Sequence, residues 1–258
     1  MTPLTFGHRK LDAVREGMTI RRPHKLAIIY TCRRIYLELG KKWLSKALLH
    51  FESLEAMLDK LTSLPPHLSM ADIRYIRVRG DGLRCFDKTI ISKGKVFFVG
   101  GVMRLFTGLR LEELTVTASY DSSDLLRTLG ELVARGSGWK RLRCVCDGPL
   151  LFLAKFKLSC VEMQRFWAQV LAERDGADSG ASVRIYSDRG VDRVLVQPDE
   201  PFDPDVEPNG DFIVVVTRGR GADYQVRWDA PPCEGDLRAG LGERSWGEAR
   251  PIRTIWQH

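Results

Sequence analysis

No apolar run in this 258-residue sequence approaches the roughly 20 residues that a membrane-spanning helix needs, so no membrane association is expected. The first 27 residues have no continuous apolar core of the kind that marks a secretory signal. The expected location is therefore intracellular, cytoplasmic or nuclear rather than secreted, and the six cysteines read as thiols, not as a disulfide framework. The sequence has no Gly-x-Ser-x-Gly elbow, Walker loop or His-Glu-x-x-His pair. His8, His24, His50, His67 and His258 sit in unrelated contexts. These absences point to a non-catalytic chain. A catalytic site would have to be assembled from residues far apart in sequence. Asparagine occurs once, at Asn209, and lysine stops at Lys157 while arginine continues. GC-biased coding produces that pattern without selection for a partner.

What is present is ordinary globular material, 44% hydrophobic and 28% charged. The net charge of +7 hides a gradient: residues 1–50 carry 11 Lys and Arg against 3 Asp and Glu, whereas residues 172–258 carry 11 against 17. A basic front and an acidic back attract each other, which weakens the case for nucleic acid as a partner.

Helical periodicity is clear in four places. Ile28 or Ile29, Cys32, Ile35, Tyr36 and Leu39 form one apolar face. The second helix runs over about Ser53–Leu61, with Ser53 as N-cap, Leu54, Met57, Leu58 and Leu61 inward, and Pro65-Pro66 as the stop. The third runs over about Ser123–Ala134 and ends at Gly136. The fourth opens at Ser159, where Ser159 and Glu162 read as a capping box, and carries Met163, Phe166, Trp167, Val170 and Leu171 inward.

Between the helices a strand pattern recurs, apolar-x-x-apolar-x-apolar-x-x-polar. It fits Ile73, Ile76, Val78 and Asp81; Leu111, Leu114, Val116 and Ser119; and Trp139, Leu142, Cys144 and Asp147. A degraded copy is Gly180, Val183, Ile185 and Asp188. The starts are 38, 28 and 41 residues apart, and only the middle gap suits a regular leucine-rich repeat. The fold class expected is α/β: irregular leucine-rich-repeat-like helix–strand units with a mostly parallel sheet, followed by a smaller β-rich C-terminal part. A compact doubly wound α/β domain is the alternative. The expected organisation is a basic N-terminal segment over 1–27, an α/β repeat-like domain over 28–188, a β extension packed on it over 189–229, and an irregular tail over 230–258. Within the extension, Phe212–Thr217 and Tyr224–Trp228 read as strands able to pair as a hairpin.

The run YTCRRIYLE, Tyr30–Glu38, followed by HFESLEAMLDKLTSLPPHLSMADIRYIRVRG, resembles fungal F-box-like proteins and related fungal domains of unknown function. Those share a helix of the form L-x-T-C-[KR]-x-I-Y-x-E, then a Phe-bearing strand, a short helix and another strand. This chain departs from them at KKWLSKALLHF, where the family has Tyr-x-x-Asn-x-Phe. It departs again in residues 1–27, which lack the L-P-x-E-[IL]-R-x-x-I-[YF] box. The resemblance implies a protein-interaction module whose partner is not the Skp-type adaptor that the box would engage.

Candidate sites are few. Arg33, Arg34, Lys41 and Lys42 are the candidate partner-binding cations, with snorkelling around Ile35 and Tyr36 as their structural reading. Arg9 and Lys10, with Arg21, Arg22 and Lys25, have the spacing of a two-part nuclear import signal. Asp205, Glu207, Asn209, Gly210 and Asp211 alternate like a calcium loop, yet Val216 stands where a bidentate carboxylate is required, so no metal is expected there. Cys144 and Cys146 share a strand face with no histidine near them, which makes buried thiols the expectation and zinc not. Gly219-Arg220-Gly221 is too short to cradle a phosphate. No cofactor is expected. Three readings stay open: a non-catalytic protein-interaction module, a nuclear or nucleic-acid-associated protein using the basic front half, and an enzyme of unknown class.

Overall fold

The computed structural model describes residues 4–6, 44–66, 68–85, 95–119, 124–147, 160–188, 193–195, 212–229, 235–242 and 245–249. Alternation along the strands builds it. Strands β1 (Leu4–Phe6), β2 (Leu48–Phe51), β3 (Tyr75–Arg79), β6 (Leu111–Ser119) and β7 (Trp139–Asp147) pair in that order, all parallel. Beyond β7 come β10 (Phe212–Thr217), β8 (Ser182–Asp188) and the edge strand β9 (Arg193–Leu195). A separate antiparallel pair, β4 (Leu83–Cys85) and β5 (Lys95–Phe97), adds Leu83 and Phe97 to the core.

Two register rows cross the sheet and make its buried face. Leu49, Ile76, Leu114, Leu142, Val216 and Val183 align in one. Phe51, Val78, Val116, Cys144, Val214 and Ile185 align in the other. All are buried. Successive residues of a strand point to opposite faces, so these rows commit alternate positions to one core.

Helices α1 (Leu54–Thr62), α2 (Val99–Met103), α3 (Asp124–Arg135) and α4 (Cys160–Asp175) cover that face side by side. α1 begins where the Ser53 hydroxyl accepts the Ala56 N–H at 3.1 Å, and it buries Leu54, Met57, Leu58 and Leu61. α3 stops at Gly136, where a Cβ would lie 2.6 Å from the Leu132 carbonyl oxygen. The last carbonyls of α3 are taken by Arg174 of α4, which donates to Val133 at 2.9 Å and also to Leu132 and Gly136. A guanidinium at a helix C-terminus meets both the open carbonyls and the negative end of the dipole.

The α/β class and the mostly parallel sheet are observed. Several finer expectations are corrected. Ile185 lies one strand further from Cys144 than a neighbouring repeat would put it, because β10 enters antiparallel between β7 and β8. That strand sits inside the sheet instead of extending it. The hairpin with Tyr224–Trp228 does not form, since Val226 bonds with Leu109 and Gly108 and the Tyr224 carbonyl accepts from Gly138. Phe166 is 62% exposed, not inward: Met163, Trp167 and Leu171 suffice to seat α4, and Gly130 leaves the groove beside Phe166 unfilled. The expected basic segment 1–27 contains β1.

The tail expected to be irregular contains α5 (Leu237–Leu241) and α6 (Trp246–Ala249), which bury Leu237, Leu241 and Trp246. Trp246 donates its indole N–H to Asp59 on α1 at 2.9 Å. Gly101 makes room for this tail, because a Cβ there would stand 1.7 Å from the Gly235 carbonyl oxygen. The doubly wound alternative needs helices on both sides of the sheet. Among the described residues they lie on one.

Candidate functional site

The side chains between the buried positions form the other face of the sheet. Three register rows define it. The first is Leu48, Tyr75, Glu113, Arg141, Thr217 and Ser182; the second is His50, Arg77, Thr115, Arg143, Val215 and Arg184. The third is Arg79, Thr117, Val145, Ile213 and Tyr186. Nearly all are exposed or half-buried, and among the described residues no helix covers them.

The face is strongly basic. Among the described side chains in these rows, Glu113 is the only carboxylate against Arg77, Arg79, Arg141, Arg143 and Arg184. Arg79 is held by Asp81 at 2.7 Å and Arg141 loosely by Glu113 at 3.8 Å. Arg143 and Arg184 have no ion-pair or hydrogen-bond partner among the described residues, and the Arg143 Nε is shielded from solvent with nothing to bond. Around them lies an open basin of about 560 Å³, lined by Glu113, Arg141, Arg143, Ser182, Arg184, Tyr186 and Thr217 over a floor of Ile213 and Val215. Ile213 in that floor is only 5% exposed. His50 at the far end has its pKa lowered from 6.5, first by burial and then by Arg77, with Glu52 opposing.

A second charged group lies at the helix-covered end and is structural. Arg218 forks onto Asp175 with both side chains nearly sealed from water, at 2.7 Å from its terminal nitrogen, and the Gly219 N–H adds a bond at 2.8 Å. Burial would raise the Asp175 pKa, but the Arg218 and Gly219 bonds outweigh it and hold the carboxyl below its usual range. Arg218 also stacks 5.5 Å from the Trp139 ring. Of the Gly219-Arg220-Gly221 turn, the Gly219 N–H serves this pair. Arg174, beside it, is lowered to about 10 by burial and then by Arg218.

Arg33, Arg34, Lys41 and Lys42 lie outside the described residues. So do the import-signal candidates Arg9, Lys10, Arg21, Arg22 and Lys25, and the acidic run with Asp205, Glu207, Asn209, Gly210 and Asp211. Cys144 and Cys146 are buried and in no disulfide, and burial, then Cys146, pushes the Cys144 pKa up, so Cys144 is an inert core group. Among the described residues no three His, Cys, Asp or Glu side chains gather in a way that could hold a metal. No helix among them is long and apolar enough to cross a membrane. Arg141, Arg143 and Arg184 were not singled out by sequence; the signal was in the unspecified positions of the strand pattern. No family model, curated protein or solved structure matches the chain.

Proposed function

We propose that this chain is a non-catalytic protein-interaction module that engages its partner through the face of the sheet that no described helix covers. One observation carries the reading: among the described residues helices seal one face, while the other presents a continuous polar and basic surface with a built basin at Arg143 and Arg184. Among the described residues no helix covers this row and no acceptor engages Arg143 or Arg184, which leaves both open to a partner. The basin offers hydrogen-bond donors and one carboxylate, Glu113. Fungal F-box-like ancestry, as the Tyr30–Glu38 resemblance implies, agrees with a binding role.

The test is affinity capture from fungal cells with three baits: wild type, the triple variant Arg141→Glu, Arg143→Glu, Arg184→Glu, and Lys60→Glu on the exposed side of α1. The triple variant should lose the partners that the other two retain. Equal capture by all three overturns the reading. Co-elution of the wild type with a Skp-type adaptor would show that the missing box is disguised instead of lost.

A further inference from the structure

We propose that the Arg143–Arg184 basin is a carboxylate-recognition site, and that the face takes an acidic peptide segment with apolar residues interspersed. This rests on the sheet face being the interaction surface. Arg143 and Arg184 stand in one register row with Val215 between them. Two strand spacings separate them by about 9.6 Å. Each guanidinium is a planar fork suited to a carboxylate, and neither is engaged among the described residues. The Arg143 Nε is a shielded donor without an acceptor. That nitrogen is out of reach of a ligand, so an incoming carboxylate pairs with the terminal nitrogens of the two guanidinium groups.

The spacing selects a backbone. In polyproline II, three residues complete a turn and rise about 9.3 Å, which brings acidic side chains at i and i+3 onto one side at that separation. An extended β peptide places same-side residues about 6.8 or about 13.6 Å apart, and matches less well. Residues between the two carboxylates meet Val215, Ile213 and the Tyr186 ring, an apolar strip flanked by the hydroxyls of Ser182 and Thr217. The ligand is therefore an acidic-x-x-acidic segment with apolar or proline residues between.

Nucleic acid suits the face less well. Single strands are held by aromatic side chains on which successive bases stack. Tyr75 and Tyr186 stand on β3 and β8, four strand spacings apart in the order β3-β6-β7-β10-β8, which no pair of adjacent bases bridges. Glu113 lies between them and repels a phosphodiester backbone.

Fluorescence anisotropy with the full chain tests this, using a labelled peptide of repeated Glu-Pro-Leu, the matching Lys-Pro-Leu peptide, and oligo-dT. The acidic peptide should bind and the basic one should not. Arg143→Ala and Arg184→Ala should each weaken binding by about tenfold or more, as expected for loss of a charged hydrogen bond. Arg143→Lys keeps the charge but loses the fork, and should weaken binding too. Lys60→Ala should change nothing, and circular dichroism shows that each variant is folded. Failure of the acidic peptide to bind wild type, unchanged binding in folded Arg143→Ala and Arg184→Ala, or tighter binding of oligo-dT overturns the proposal. If the triple Glu variant loses its cellular partner while the acidic peptide never binds, the interaction surface stands and the carboxylate ligand falls. If neither changes, both fall.

Discussion

The two faces of the sheet are made by the same strands and differ in every second residue. On one side Leu49, Ile76, Leu114, Leu142, Val216 and Val183 are sealed beneath helices; one position along, His50, Arg77, Thr115, Arg143, Val215 and Arg184 have no helix over them among the described residues. The first row answers to packing alone, and any apolar set of similar volume would satisfy it. The second is half-buried to exposed with no described helix over it, so its arginines stay open to a partner. Strand β10 sharpens the contrast: FIVVVT is apolar on both faces, and its outward Ile213 and Val215 make the floor from which the flanking arginines rise.

The largest effects should come from the helix-covered side. Asp175→Asn leaves the Arg218 guanidinium buried without its partner, and breaking a buried pair in this way costs about 3–5 kcal/mol. The pH dependence has the same origin. Because Asp175 has a lowered pKa in the fold, the unfolded chain takes up its proton first as the solution is acidified. The stability from the pair is whole above the usual Asp value of 3.8 and is lost as the pH falls through the folded pKa. Urea titrations of wild type and Asp175→Asn should therefore converge at low pH. A constant gap between them would mean that the pair does not titrate with folding.

Leu114 and Thr115 provide the paired test of the two faces, since they are consecutive in β6. Leu114→Ala should cost about 2–5 kcal/mol, the usual range for a truncated core leucine. Thr115→Ala, on the uncovered face, should stay within about 0.5 kcal/mol. Equal losses would show that both faces are packed, and would remove the interaction surface.

How much of this was legible in the sequence depended on the range of the interactions. The spacing around Ile76, Val116 and Cys144 identified three strands that do pair in parallel, because the core side of each strand is set by local alternation. Helices α1, α3 and α4 were visible from their stripes and from Ser53 and Gly136. The insertion of β10 was not visible, because an apolar strand on both faces carries no sign of which neighbours it will choose. The tail escaped for another reason: α5 and α6 are too short for periodicity, and what holds them is the Gly101–Gly235 approach and the Trp246–Asp59 bond, both remote in sequence. The basin needs Arg143 and Arg184 in one row, which only the register through Val215 supplies.

Arg143→Ala and Arg184→Ala should leave stability within about 0.5 kcal/mol of wild type, or raise it slightly as mutual repulsion falls. A loss above 2 kcal/mol, comparable to that of a truncated core leucine, would make these residues part of the fold and count against a ligand role.

The smallest effect belongs to His50, and it reports on the uncovered face directly. Burial and the neighbouring Arg77 lower its pKa from 6.5, against the pull of Glu52. A lowered pKa means that the unfolded chain binds the proton more readily, so stability is full above pH 6.5 and declines as the pH falls through the folded pKa. His50→Gln should flatten that shallow decline. An acidic peptide lying on the row would add negative charge near the imidazole and favour its protonated form. Titration of the His50 ring by NMR should then show a pKa below 6.5 in the free chain that rises when the Glu-Pro-Leu peptide is added. A free-chain value at or above 6.5 would mean that burial and Arg77 do not act on the imidazole; a value unmoved by bound peptide would confine the ligand to the Arg143–Arg184 end of the row.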